Sequence, residues 1–187
     1  MIFKELSLVG AYVVELQKHT DERGFFARSW CQREFEEHGL DARLVQCNIS
    51  YNARRGTLRG MHYQLPPFAE AKLVRCTRGA LYDVIIDLRP NSPTFLRWAA
   101  AELTADNRAA LYVPQGFAHG FQTLCDDTEV FYQMSEVYAP DCARGVRWDD
   151  PLFGVVWPEP AGVISARDQA YEDSNPDQFA PLALPFI

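Results

Sequence analysis

Short runs rich in β-branched and aromatic residues, often alternating apolar with polar, recur along the whole chain. "AYVVEL" (11–16), "KLVRC" (72–76), "ALYDVIIDL" (80–88), "AALYVP" (109–114) and "EVFYQMSEVY" (129–138) all read as strands. Between them lie turn signals: "TRGA" (77–80), "RPNSP" (89–93), "TADNR" (104–108) and "PQG" (114–116). One segment has helical character, "QREFEEHG" (32–39), with Phe35 as the inward residue and Gly39 as the stop. Many strands and few helices predict an all-β fold, a sandwich or barrel with a few short peripheral helices. After Trp157 prolines and glycines recur, so the tail is expected to wrap the surface instead of adding to a sheet.

The stretch "LRGMHYQ" (58–64) raises a sharper question. With a period of two, Leu58, Gly60, His62 and Gln64 face one way, and Arg59, Met61 and Tyr63 the other. A strand that aims an imidazole inward holds a satisfied core histidine, a metal ligand or a catalytic base.

Composition narrows the options. A chain of 187 residues, 48% hydrophobic, without repeats or linkers, fits a single domain over 1–187. Its core is expected over about 1–160, followed by the tail. A net charge of −7 argues against nucleic-acid binding, although a few local arginines can still hold a phosphorylated small molecule. Charges at Lys4, Glu5 and Glu15 interrupt the N-terminal region, so neither a signal peptide nor a membrane span is expected. Five cysteines without a C-x-x-C pair argue against a disulfide scaffold or zinc site and suit a reducing cytoplasm.

Two spaced patterns refine the architecture. "PQGFAHG" places Pro114, Gly116 and His119 as P-x-G-x-x-H, and upstream lie His62, Gln64, Glu70 and Gly79. Together they resemble the two cupin motifs, which predicts a jelly-roll barrel with His62 and His119 facing one cavity. Gln64 stands where a metal-binding cupin carries a second histidine, and an amide oxygen is a poor ligand for metals that favour imidazole. His62, Glu70 and His119 remain as a two-histidine, one-carboxylate alternative. For His119 the plain alternative is a buried histidine bonded to backbone.

The segments "DERGFFARSW", "LVQCNIS", "GTLRGMHYQ", "AKLVRCTRGALYDVIIDLRPNSPTF", "LYVPQGFAHGFQTL", "VFYQMSEVYAP", "RGVRWDDPLFGVVWP" and "ISARDQA" occur in this order. Over residues 1 to 171 they resemble the dTDP-4-dehydrorhamnose 3,5-epimerases. That resemblance implies a cofactor-free, metal-free cupin homodimer whose N-terminal strand region crosses to the partner. It also implies a nucleotide-linked 4-keto-6-deoxyhexose as substrate, inverted at the carbons flanking the ketone. Carried onto this chain, the base is His62, paired with Asp168 on the tail, the acid is Tyr132 and the matching lysine is Lys72. Arg23, Gln46, Asn48, Arg59 and His119 match substrate-contacting positions, and Phe26 and Tyr138 lie near the nucleotide.

These residue types suit the chemistry. Imidazole, with an ordinary pKa of about 6.5, is a competent acceptor that is mostly free base at neutral pH. A carboxylate on its other nitrogen fixes the tautomer and stabilises the imidazolium. An ammonium stabilises the enolate, and a phenol delivers a proton to the opposite face.

Two positions depart from the family pattern. Arg28 stands where G-F-F-x-E has a glutamate, and His19 replaces an aromatic before the D-E-R-G turn. Arg28 is expected to grip phosphate. The rival readings are a single-site epimerase on another nucleotide sugar, a metal-dependent cupin enzyme, and a non-catalytic sugar-nucleotide-binding cupin.

Overall fold

A computed structural model of the chain describes residues 1–184. Fourteen strands are present among them: β1 (Ile2–Glu5), β2 (Tyr12–Glu15), β3 (His19–Asp21), β4 (Gly24–Phe26), β5 (Gln46–Asn52), β6 (Thr57–Gln64), β7 (Lys72–Arg78), β8 (Ala80–Asp87), β9 (Trp98–Thr104), β10 (Ala110–Val113), β11 (Phe117–Thr123), β12 (Thr128–Met134), β13 (Ala143–Gly145) and β14 (Val163–Ile164). Two short helices, α1 (Gln32–Glu37) and α2 (Ala166–Gln169), and a 3₁₀ helix (Pro176–Leu182) complete the fold. The fold is the all-β sandwich with a few short helices that the strand pattern predicts.

One sheet has the order β1-β2-β10-β7-β12-β5, and the facing sheet has the order β13-β6-β11-β8-β9. Strands β3 and β4 form a separate hairpin. Leu81, Ile85, Phe117 and Phe121 from the second sheet pack against Val74, Leu111, Val113 and Val130 from the first, closing one end of the sandwich. Strand β11 is buried along its whole length and β8 along most of it, so polar side chains there, Asp83 and His119 among them, lie inside the protein. The outer face of the second sheet carries Met61, Tyr63, Val84 and Ile86, and Phe179 and Leu182 of the tail cover it. On the outer face of the first sheet, Phe35 of α1 packs against Val14, Leu73 and Tyr112. Gly39 takes φ +69° just past the helix, as its role of stop requires.

The tail departs from expectation in one respect. It wraps the second sheet, but β14 also joins that sheet, pairing parallel with Thr57 and Leu58 of β6. This edge pairing delivers the following turn, α2, to the mouth of the sandwich.

Candidate active site

The open side of the sandwich is a cleft between β5 and β12 of the first sheet and β6 of the second. It has two lobes, of 490 and 330 Å³, that share His62, Lys72, Tyr132 and Arg167 in their walls. Ser50, Arg59, His119 and Asp168 line the larger lobe, and Gln46, Asn48, Tyr138 and Arg144 line the smaller.

Strand β6 reaches this geometry by breaking its own alternation. His62 lies opposite His119 on β11, yet Arg59 lies opposite Phe121, so two residues on β6, Gly60 and Met61, match the single Gly120 on β11. The extra residue is a bulge. It reverses the facing of the preceding segment, and Arg59 lines the same cleft as His62, where strict alternation predicts opposite faces. Glycines make the bulge sterically possible. A Cβ on Gly60, at φ +134°, would lie 2.5 Å from the Cα of Gly120.

His62 Nε2 is 2.7 Å from Asp168 Oδ1, and the imidazole side chain is 41% exposed to the cleft while the carboxylate is buried. Asp168 belongs to α2, whose N-cap Ser165 accepts a hydrogen bond from the Asp168 amide. Burial pushes the Asp168 carboxyl up. The bond to His62, that ring's charge, the Gly60 amide and the Ser165 hydroxyl outweigh it and hold the carboxyl below its ordinary value. The carboxylate is therefore ionised when the imidazole takes up a proton.

Tyr132 projects from β12 on the facing sheet, beside Val74 of β7 and Asn48 of β5. Lys72 begins β7. Its Nζ lies 3.0 Å from Glu70 Oε1 and donates a longer bond, 3.4 Å, to the His62 carbonyl. Arg59 donates through Nε to Asn52 Oδ1 at 2.7 Å, which fixes the guanidinium at the wall. The cleft therefore has an imidazole of one sheet backed by a carboxylate of α2, a phenol on the other sheet and an ammonium in the shared wall.

Gln64 has a different task from ligation. Its Nε2 donates to the carbonyls of Phe68 and Val137, and its Oε1 accepts from the Ala139 amide at 2.6 Å. The amide joins two loops at the rim of the smaller lobe. His119 is bonded through Nε2 to the Asp83 carboxylate at 2.7 Å, not to backbone as its plain reading had it. With His62 on Asp168, Glu70 on Lys72 and His119 on Asp83, the proposed facial triad is dispersed into three separate pairs. Among the described residues no group of three or more His, Cys, Asp or Glu side chains could hold a metal ion.

Arg23, Phe26 and Arg28 are not brought to this cleft within their own chain. Arg23 of the β3–β4 turn is exposed and pairs with Asp21, and Phe26 is 75% exposed. Arg28 Nη1 lies 2.6 Å from Glu34 Oε1 of α1, which also receives the N-terminal ammonium on Oε2. The guanidinium that was expected to grip phosphate is engaged by a carboxylate.

Sequence reasoning missed Asp83, Asn52, Arg144 and Arg167 as parts of the site. Asp83 had a signal, a charge at an inward position of an apolar strand, which needs a partner. Arg167 adjoins Asp168 and bonds to the hydroxyls of Tyr138 and Tyr171, which raise its pKa further. Tyr171 in turn packs edge-on to His62, with ring centroids 6.5 Å apart. Gly145 leaves room for that ring, because a Cβ there would lie 2.3 Å from Tyr171 Cζ. Gly145→Ala is expected to lower stability by about 1–3 kcal/mol through overpacking. It should also lower turnover as Tyr171 shifts against the His62 ring. Thermal melting and steady-state rates would check both effects.

A cleft that sets an imidazole–carboxylate pair opposite a phenol, with a cation in its wall, holds the groups that an isomerase working by proton transfer needs. The comparisons agree. A family model described as dTDP-4-dehydrorhamnose 3,5-epimerase matches residues 5–175, and the chain belongs to that family. It is 45% identical over 171 residues to the dTDP-4-dehydrorhamnose 3,5-epimerase of Sinorhizobium fredii, covering 91% of this chain and 88% of that protein. The crystal structure of the Bacillus anthracis enzyme with TDP and PPi bound superposes with a TM-score of 0.88 at 40% identity. That match covers 92% of this chain and 99% of that one. ChmJ, a 3'-monoepimerase from Streptomyces bikiniensis in complex with dTDP-quinovose, superposes with a TM-score of 0.82 at 34% identity, covering 90% and 85%.

Proposed function

We propose that the chain inverts C3 and C5 of a dTDP-linked 4-keto-6-deoxyhexose, with His62 as the base and Tyr132 as the acid. The observation that carries these roles is His62 of one sheet, paired with Asp168 of α2, facing Tyr132 of the other sheet across a shared cleft. His62 removes the proton next to the ketone, and Asp168 stabilises the imidazolium that results. The electron pair moves onto the ketone oxygen, where the Lys72 ammonium meets the developing negative charge. Tyr132 then delivers a proton from the opposite side, and the carbon is inverted. Arg59 and Arg167 supply the positive charge a diphosphate needs, and Tyr138 offers a flat face to the base. Nothing in this sequence of steps requires a cofactor.

A homodimer belongs to this proposal. Arg23 and Phe26 are exposed on a hairpin away from their own cleft, and Ile49 and Tyr51 on edge strand β5 are 65% and 51% exposed. A partner's hairpin laid along β5 would cover that edge and bring Arg23 and Phe26 to the neighbouring cleft. The chemical test is turnover of dTDP-4-keto-6-deoxyglucose in heavy water, read by NMR. Deuterium is expected at both C3 and C5. Label at one carbon only, after long incubation, would make the protein a mono-epimerase instead.

A further inference from the structure

Glu70 lies in the loop entering β7, and its side chain is nearly as buried as that of Lys72, 4% and 9% exposed. One carboxylate oxygen is 3.0 Å from the ammonium. The other, Oε2, is buried without a hydrogen-bond partner. An orphaned carboxylate oxygen is rare in a folded interior and costs stability. Buried ion pairs of this kind are also often replaceable by apolar residues without loss of stability. The pair therefore calls for an explanation other than stability.

Lysine supplies that explanation. It is a point charge on a four-carbon stem, with rotatable donors and no fixed direction. A carboxylate at hydrogen-bond distance gives such an ammonium the direction it lacks. The other contact of Lys72, to the His62 carbonyl, is long and carries no charge. The remaining ionisable groups lining this lobe are His62, Tyr63, Tyr132, Tyr138, Arg144 and Arg167. Glu70 is the carboxylate in that lining, which also holds two cations, Arg144 and Arg167.

We infer that Glu70 is the positioning residue for Lys72, holding its ammonium in place and directed into the cleft. The inference rests on the reading of Lys72 as the counter-charge to the enolate. Glu70 touches neither substrate nor reacting carbon in this role, and it acts through Lys72.

The experiment compares wild type, Glu70→Gln, Lys72→Ala and the double variant in steady-state turnover of dTDP-4-keto-6-deoxyglucose. Glu70→Gln should lower kcat by about tenfold and leave KM within about twofold, because the charge matters most once the enolate forms. In the Lys72→Ala background the same change should have no further effect. A wild-type kcat in Glu70→Gln, or an equal loss with and without Lys72, would overturn the inference. Lys72→Ala at full activity would instead overturn the reading of Lys72 itself. A second measurement needs no Glu70 variant to fold: the wild-type Lys72 ammonium should give a slowly exchanging ¹⁵N-detected signal, missing in Lys72→Ala. Failure to observe that signal in the wild type counts against a held ammonium.

Discussion

His62→Ala is expected to lower kcat by about 10²–10⁴-fold, the usual contribution of a positioned general base. That loss corresponds to roughly 3–5 kcal/mol of transition-state stabilisation. The imidazole is the group of the dyad open to the cleft, whereas Asp168 lies behind it, so its removal leaves no base in reach of the ketone-flanking hydrogen. Exchange of the C3 and C5 hydrogens with heavy water should stop along with product formation. The variant should still fold, because the ring is partly exposed and the core clusters do not include it. A variant that still washes deuterium into either carbon would remove His62 from the role of base.

Tyr132→Phe separates the two half-reactions. The base remains, so proton removal continues and the enolate forms. Without the phenol, the proton can return only from the His62 side, which restores the starting configuration. The expected result is a loss of inverted product of about 10²-fold or more, on the scale of a general acid. Deuterium wash-in to unconverted substrate should persist, and NMR of recovered starting material would detect it. Equal loss of exchange and inversion would mean that Tyr132 acts before the proton is removed, and the assignment as acid would fail.

The strand pattern and turn residues made the barrel readable, because each turn needs particular residues and each half-buried strand a period of two. Helix α1 was readable for the same local reasons, Phe35 inward and Gly39 at the stop. His62, Lys72, Tyr132 and Asp168 could be named from family motifs, and the fold brings all four to one cleft. Three features were out of reach of local pattern. The bulge in β6 is set by the close approach of Gly60 to Gly120, about sixty positions away, so strict alternation put Arg59 on the wrong face. That Asp83 partners His119 and Asn52 partners Arg59 becomes visible only when strands pair across the sheet or through a turn. The parallel strand β14 is two residues long and lies among prolines, too short to register as a run of its own.

The placement of Asp168 ties chemistry to local stability. It rides on a segment held by a two-residue strand, a single helical turn and the docking of Phe179 and Leu182 further along. Segments with few backbone bonds open more often than the sheets they lean on, with their own smaller free energy of opening. An opening of this segment would withdraw the carboxylate from His62 while the barrel stays folded. The fraction of molecules with the pair formed would then follow the tail's own equilibrium and not global unfolding. A ligand that touches Arg167 or Ser165 would gain those contacts in the closed form, so by mass action it would raise the closed population as its concentration rises. Substrate would thus complete the dyad that acts on it.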